Sequence, residues 1–275
     1  MDAYVGLASA YLMLGEYGSD SAEREGAEPL AVAMAEQALR LDPSLSTPHG
    51  IVAWDLVSEW DWEGAEREFL AAIRLEPDQS QIRCWYSYFL AGMGRSEEAL
   101  RELSIAQRLD PLAPWLAAGA PAVYYLVRDY ERSVEMGLQT IAADPENENV
   151  YGWMCASYLR LGRFDESAEV CEVAQEYYPD WAYDAYEHAF RGEEEAALQD
   201  LARAVNIFPE SGDIYWSAAE VHAALGDIDG AFRWLRRGIE EDRSQAYQLP
   251  GDPAWDVLRS DPRFAEILRE IGFER

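Results

Sequence analysis

Residues 151–179 read YGWMCASYLRLGRFDESAEVCEVAQEYYP, and this stretch decides the fold. A helical run carrying Tyr151 and Tyr158 reaches Gly162, where glycine readily takes the left-handed backbone that ends a helix. Phe164 follows two positions later, and a second helical run carries Ala174 five residues before Pro179. Proline lacks the backbone N–H and clashes with the preceding turn, so it stops that run. The unit therefore reads helix, tight turn, helix, proline.

The same unit recurs on both sides. Pro43, Pro77, Pro111, Pro145 and Pro179 are each 34 residues apart, and Pro209 follows after 30. Five residues before each proline stand Ala38, Ala72, Ala106, Thr140, Ala174 and Ala204. Gly94, Gly162 and Gly192 lie 17 residues before theirs, where Trp60 and Arg128 depart from glycine. Gly226 marks the same turn in a last unit without a terminal proline. A fixed period of this length is the signature of a stacked repeat.

Thirty-four residues per helix-turn-helix, with these small and aromatic positions, resembles the tetratricopeptide repeat family. Tyr4, Leu7, Ala8, Tyr11, Gly15 and Tyr17 match its motif in the first unit, and Ala65, Phe69, Ala72 and Pro77 in the second. The expected fold is all-α: a right-handed superhelix, or solenoid, of about seven units over residues 1–243. The units are placed at about 1–45, 46–79, 80–113, 114–147, 148–181, 182–211 and 212–243, with a linker and C-terminal capping helix over 244–275.

Three departures qualify the repeat. The first unit carries about 11 extra residues near Gly18–Pro29, read as lying between its two helices. The sixth is four residues short around Trp181–Arg191, about one helical turn. In the tail, Asp252-Pro253-Ala254-Trp255 precedes Leu258 to Phe264, where Asp261 is placed to cap a helix starting at Pro262. This closing segment, the insertion and Glu59-Trp60-Asp61-Trp62 are similar to the C-terminal repeat regions of large bacterial signalling proteins: winged-helix transcriptional regulators, class III cyclases and Ser/Thr kinases. That resemblance implies a sensory or protein-binding region. Helical pattern begins almost at Met1, so the chain is expected to be part of a longer protein.

Composition excludes several partners. The chain has 275 residues, 22 basic and 52 acidic, for a formal charge of −30. Such a charge disfavours nucleic acid and anionic membrane surfaces. Not one residue is lysine, which fits either a GC-rich genome or salt adaptation. No stretch approaches the roughly 20 apolar residues of a membrane span, and the expected location is cytoplasmic.

Nothing points to chemistry, and no enzyme activity, metal or cofactor is expected. His49 and His222 fall where aromatic rings normally pack, and His188 in the irregular sixth unit. There is no GxGxxG, and without lysine no P-loop and no Schiff base. Cys84, Cys155 and Cys171 form no CxxC and are read as buried thiols of a reducing compartment. Cys155 and Cys171 sit on facing positions of one unit, and a bond between them is the alternative.

Stacked units curve around a concave surface lined by their first helices. In the family that surface binds the partner, which places Trp54, Ser58, Gln81, Tyr88 and Trp115 there, and with them Tyr125, Asn149, Arg160, Trp216 and Glu220. Tryptophan, tyrosine and arginine are enriched at binding hot spots. The Lys and Asn clamp that some members use for acidic C-terminal peptides is replaced by Val5, Ser9, Gly50, Trp54, Cys84 and Tyr88. The expected partner is an apolar or basic protein or peptide segment, by charge complementarity. The alternative is a small molecule held in aromatic pockets of the same face. Oligomeric state stays open.

Overall fold

The computed structural model describes residues 2–17 and 21–273. Seven antiparallel helix pairs follow one another: α1 Asp2–Tyr17 with α2 Ser21–Leu41, α3 Ser46–Ser58 with α4 Trp62–Leu75, and α5 Ser80–Gly92 with α6 Ser96–Leu109. Next come α7 Pro114–Leu126 with α8 Tyr130–Ala143 and α9 Asn149–Arg160 with α10 Phe164–Tyr177. The last pairs are α11 Tyr183–Phe190 with α12 Glu194–Ile207 and α13 Gly212–Leu225 with α14 Ile228–Glu241. A final helix, α15, spans Pro262–Glu270. The described residues contain no strand, and the chain is an all-helical repeat solenoid.

The repeat positions explain the packing. Ala38, Ala65, Ala72, Ala99, Ala106 and Ala174 are fully buried, so the helices of a pair approach closely. Asp61, Asp129 and Asp227 cap α4, α8 and α14 by accepting the N–H of Gly64, Arg132 and Gly230, each three residues on. Asp261 caps α15 at the N–H of Arg263, with Pro262 in the first turn, as the sequence predicts.

From the second pair to the seventh, the turn at the 17-residue position is left-handed, whatever residue occupies it. Gly94, Gly162, Gly192 and Gly226 have φ of 68° to 76°, and Trp60 and Arg128 have 63° and 68°. A non-glycine residue there costs roughly 1–2 kcal/mol. Both side chains do something glycine cannot. Trp60 Nε1 donates to the Arg243 carbonyl at 3.2 Å, under an Arg243 guanidinium 4.2 Å from its ring. Arg128 donates to the Gly251 carbonyl at 3.2 Å and pairs with Asp256 at 2.7 Å.

Three expectations need correcting. The inserted residues of the first unit do not separate its helices: α2 begins at Ser21 and runs 21 residues through Pro29, so the insertion lengthens the second helix. Its Ala- and Glu-rich composition favours that state, while Gly18, Ser19 and Asp20 lie outside the described residues. The terminal helix does more than cap the last pair. Phe273 stacks on Trp62 of α4 at 4.7 Å, and Trp62 Nε1 donates to the Ile271 carbonyl at 2.7 Å. Arg263 and Arg236 meanwhile pair with Asp229 at 2.8 Å and with Glu270 at 3.2 Å, so α15 bridges the second pair to the seventh. Finally, Cys155 and Cys171 are joined by a disulfide between α9 and α10. Their facing positions brought both sulfurs into one interhelical core, and the reading of these two as buried thiols falls with it. Cys84 remains a buried thiol, pushed up to about 12 by burial.

Candidate functional site

The chain's own C-terminal segment decides the concave face. Residues 243–256 leave α14 and cross it as a strap, with short 3-10 turns at Ala246–Gln248 and Pro253–Trp255. Tyr247 packs its ring 5.6 Å from Trp54 and 5.8 Å from Tyr88. Gln248 Nε2 donates to the hydroxyls of Tyr247 at 3.1 Å and Tyr88 at 3.3 Å. Gln245 donates to Asp213 at 2.8 Å, and Trp255 sets its ring edge-on to Trp216 at 6.2 Å.

Between strap and helices lies a cavity of about 380 Å³. Tyr88 of α5, Tyr125 of α7 and Trp153 of α9 form one wall; Tyr125 and Trp153 are 5.4 Å apart, Tyr88 and Trp153 6.2 Å. Tyr178, Trp181, Tyr183 and Tyr186 form another, and Trp216, Tyr247 and Trp255 close the rest. Small Ala156 of α9 borders the open volume, and Gly152 makes room for the Tyr183 hydroxyl, which a β-carbon there would strike. The shortened sixth unit makes the second wall. α11 has 8 residues, and the lost turn is replaced by a 3-10 turn at Pro179–Trp181 and a left-handed Ala182, with φ 53°. That detour points Trp181 and Tyr183 inward.

The electrostatics are acidic. Asp213, Glu220 and Asp252 all line the cavity. Burial raises Glu220 well above the ordinary range, helped by Asp252 and opposed by Arg160. Burial also raises Asp252, against the Ala254 N–H and the charges of Arg160, Arg259 and Arg128. Asp213 is pushed up to about 7 by burial and by Asp180 and Asp242, with the Gln245 amide opposing. Burial likewise lifts the hydroxyls of Tyr125, Tyr183 and Tyr247, so these rings stay neutral.

Asp213 makes stability pH-dependent. Between its ordinary 3.8 and about 7 the folded chain keeps a proton that the unfolded chain has lost. Stability therefore falls as pH rises through that window and levels off above it. We expect the thermal midpoint to drop from pH 5 to pH 8, and Asp213→Asn to flatten that slope. An equal slope in the variant would contradict the assignment.

Of the residues expected on the concave face, Tyr88, Tyr125, Asn149, Trp216 and Glu220 line the cavity. Trp54 instead packs between Phe69 and the strap. Ser58 donates back to the Trp54 carbonyl of its own helix, and Trp115 Nε1 donates to Ser80. Gln81 is half-buried on α5 outside the cavity. Arg160 lies behind the wall, with Nη2 3.3 Å from the Tyr186 hydroxyl and its guanidinium 4.9 Å from the Phe190 ring. Sequence reasoning missed Trp153, Tyr178, Trp181, Tyr183, Tyr186 and Asp213, and all the strap residues. The only signal for the second wall was the 30-residue spacing to Pro209.

The histidines serve as ties between elements. His49 Nδ1 meets Glu68 at 2.5 Å, His188 Nδ1 meets Asp200 at 2.8 Å, and His222 Nδ1 meets Asp227 at 2.9 Å. Among the described residues no cluster of three or more His, Cys, Asp or Glu side chains is arranged to hold a metal ion, and no helix is long and apolar enough to cross a membrane.

Comparison with known proteins agrees with this architecture. Residues 180–246 match the tetratricopeptide repeat family. The chain is 24% identical over 170 residues to the TPR repeat-containing protein YpiA of Bacillus subtilis, across 62% of this chain and 40% of that protein. The match thus spans well under half of that relative's length. Among solved structures, Pseudomonas aeruginosa pilF superposes with a TM-score of 0.52 at 16% identity, covering 77% of this chain and 96% of that one. A tetratricopeptide repeat protein of Parabacteroides merdae superposes with 0.51 at 14% identity, covering 98% and 99%. Together these findings support a tetratricopeptide repeat protein.

Proposed function

We propose that this chain is a non-catalytic interaction scaffold whose partner engages the aromatic cavity of the concave face. The repeat fold suggests protein–protein interaction as the general role. The carrying observation is the strap: it crosses the concave face between Trp54 of α3 and Asp213 of α13 and leaves a cavity of about 380 Å³ beside it. A volume of that size takes one inserted group, not an extended peptide. The partner is a protein presenting an apolar or basic group there. The charge of −30 disfavours nucleic acid in that place. The closing segment and the insertion support a place in a larger bacterial signalling protein.

The small size of the cavity favours a second reading, a small-molecule sensor using the same walls. One experiment separates them. Ala156→Leu fills the cavity from α9 without touching the outer surface. A protein captured by the wild type from its source lysate and lost on Ala156→Leu supports the scaffold. Equal capture by both overturns the cavity as its contact. A small molecule that co-purifies with the wild type alone selects the sensor.

A further inference from the structure

The cavity joins aromatic faces to two carboxylates, Glu220 and Asp213, that make no ion pair among the described residues. Tyr88, Tyr125, Trp153, Tyr186 and Trp216 approach it from five helices, α5, α7, α9, α11 and α13. Glu220, on α13, accepts no hydrogen bond and makes no ion pair among the described residues, although it faces the cavity. Arg160, the cation whose charge acts on it, is held against Tyr186 and the Phe190 ring, and its Nε is buried without a partner. Asp213 receives only the neutral amide of Gln245, beside the further carboxylates Asp180 and Asp242. Asp252, by contrast, is satisfied by the Ala254 N–H at 2.8 Å.

These conditions select among occupants. An anion would meet three carboxylates. A neutral apolar group would leave Glu220 and Asp213 protonated, with no partner for their buried hydroxyls, whereas a cation favours their ionised forms. A compact primary ammonium is strongly hydrated and gives up more of that hydration in a cavity walled mostly by rings than an alkylated one does. An alkylated ammonium suits both components: its methyl groups lie against ring faces, whose quadrupoles attract the charge, and the carboxylates balance it.

We propose that the cavity is a cage for an alkylated ammonium ion, with the rings of Tyr88, Tyr125, Trp153 and Trp216 around it and Glu220 and Asp213 supplying the charge. This rests on the cavity being the contact site proposed above. The cation comes either from a free small molecule or from a methylated lysine of a partner.

The test is calorimetric titration of the full chain with choline, with its neutral isostere 3,3-dimethylbutan-1-ol, and with a short peptide carrying trimethyl-lysine. We expect choline or the peptide to bind about tenfold or more tighter than the neutral isostere. Glu220→Gln should erase that preference, leaving the isostere unchanged. Asp213→Asn should weaken the cations by a smaller factor, and both variants keep side-chain shape. If only the peptide binds, the source is a methylated side chain; if choline binds as well, a free ammonium compound suffices. Equal binding of choline and its isostere, or no binding of either cation at millimolar concentration, overturns the cage. If Ala156→Leu still abolishes partner capture, that failure leaves the scaffold standing.

Discussion

Replacing Trp216 by alanine is expected to lower folding stability by about 3–5 kcal/mol, the range for deleting a large buried aromatic side chain. Trp216 is only 2% exposed. Its indole Nε1 donates to the Asp242 carbonyl at 3.2 Å, fixing the end of α14, and its ring meets Trp255 of the strap. Gly238 of α14 lies directly against the indole, where an added methyl would sit 3.2 Å from it. Alanine would leave a cavity between α13, α14 and the strap and orphan the Asp242 carbonyl. Urea unfolding of wild type and variant measures the loss. Trp153→Ala is the comparison: Trp153 is half-buried on the cavity wall and should cost clearly less while changing binding more. Loss of binding in Trp216→Ala therefore reads as lost structure, and Trp153 is the proper probe of the cavity. A Trp216→Ala midpoint close to wild type would show that the indole is not part of the core.

The second large effect is expected from Gly251→Val. Gly251 lies where the strap passes closest to α5. A β-carbon built there would collide with the Ala91 carbonyl oxygen and lie 2.7 Å from that of Gly92. Both are backbone atoms of a helix and have no rotamer with which to move away. Overpacking of this kind costs typically 1–3 kcal/mol, and here it acts on one segment. The strap should leave the concave face, taking with it Tyr247, Gln248 and the Arg128 bond to the Gly251 carbonyl. Trypsin reads this directly, because Arg243 and Arg259 flank the strap. We expect much faster cleavage at both sites in the variant, with α1 to α14 keeping their helical signal. Wild-type resistance would mean that the strap is not held by this approach.

Both predictions concern contacts that repeat reading does not supply. Tyr88, Tyr125, Asn149, Trp216 and Glu220 were legible because the concave face follows from helical register: once the unit is phased, its first-helix positions are known. Trp54 obeyed the same rule but is covered by Tyr247, a residue outside the repeat. Trp60 and Arg128 were visible as departures from glycine. That they keep the glycine conformation, and use their side chains to hold residues 243–256, needed the folded chain. The disulfide was likewise present in the spacing of Cys155 and Cys171 as one alternative, and the helix pairing selected it.

What the sequence determined by itself is the local and periodic part of this protein. Proline and small-residue spacing set the length of each pair, the turn position sets where each helix ends, and Asp261-Pro262 starts the last helix. These depend on backbone conformation and on packing between neighbours in the chain, so a window of one repeat contains the information. The tertiary structure alone decided that α15 joins the second pair to the seventh and that the strap roofs an acidic aromatic cavity. Those outcomes join residues as distant as Trp60 and Arg243, or Trp62 and Ile271. They depend on the accumulated curvature of all the stacked pairs, a sum of small rotations that no single repeat encodes.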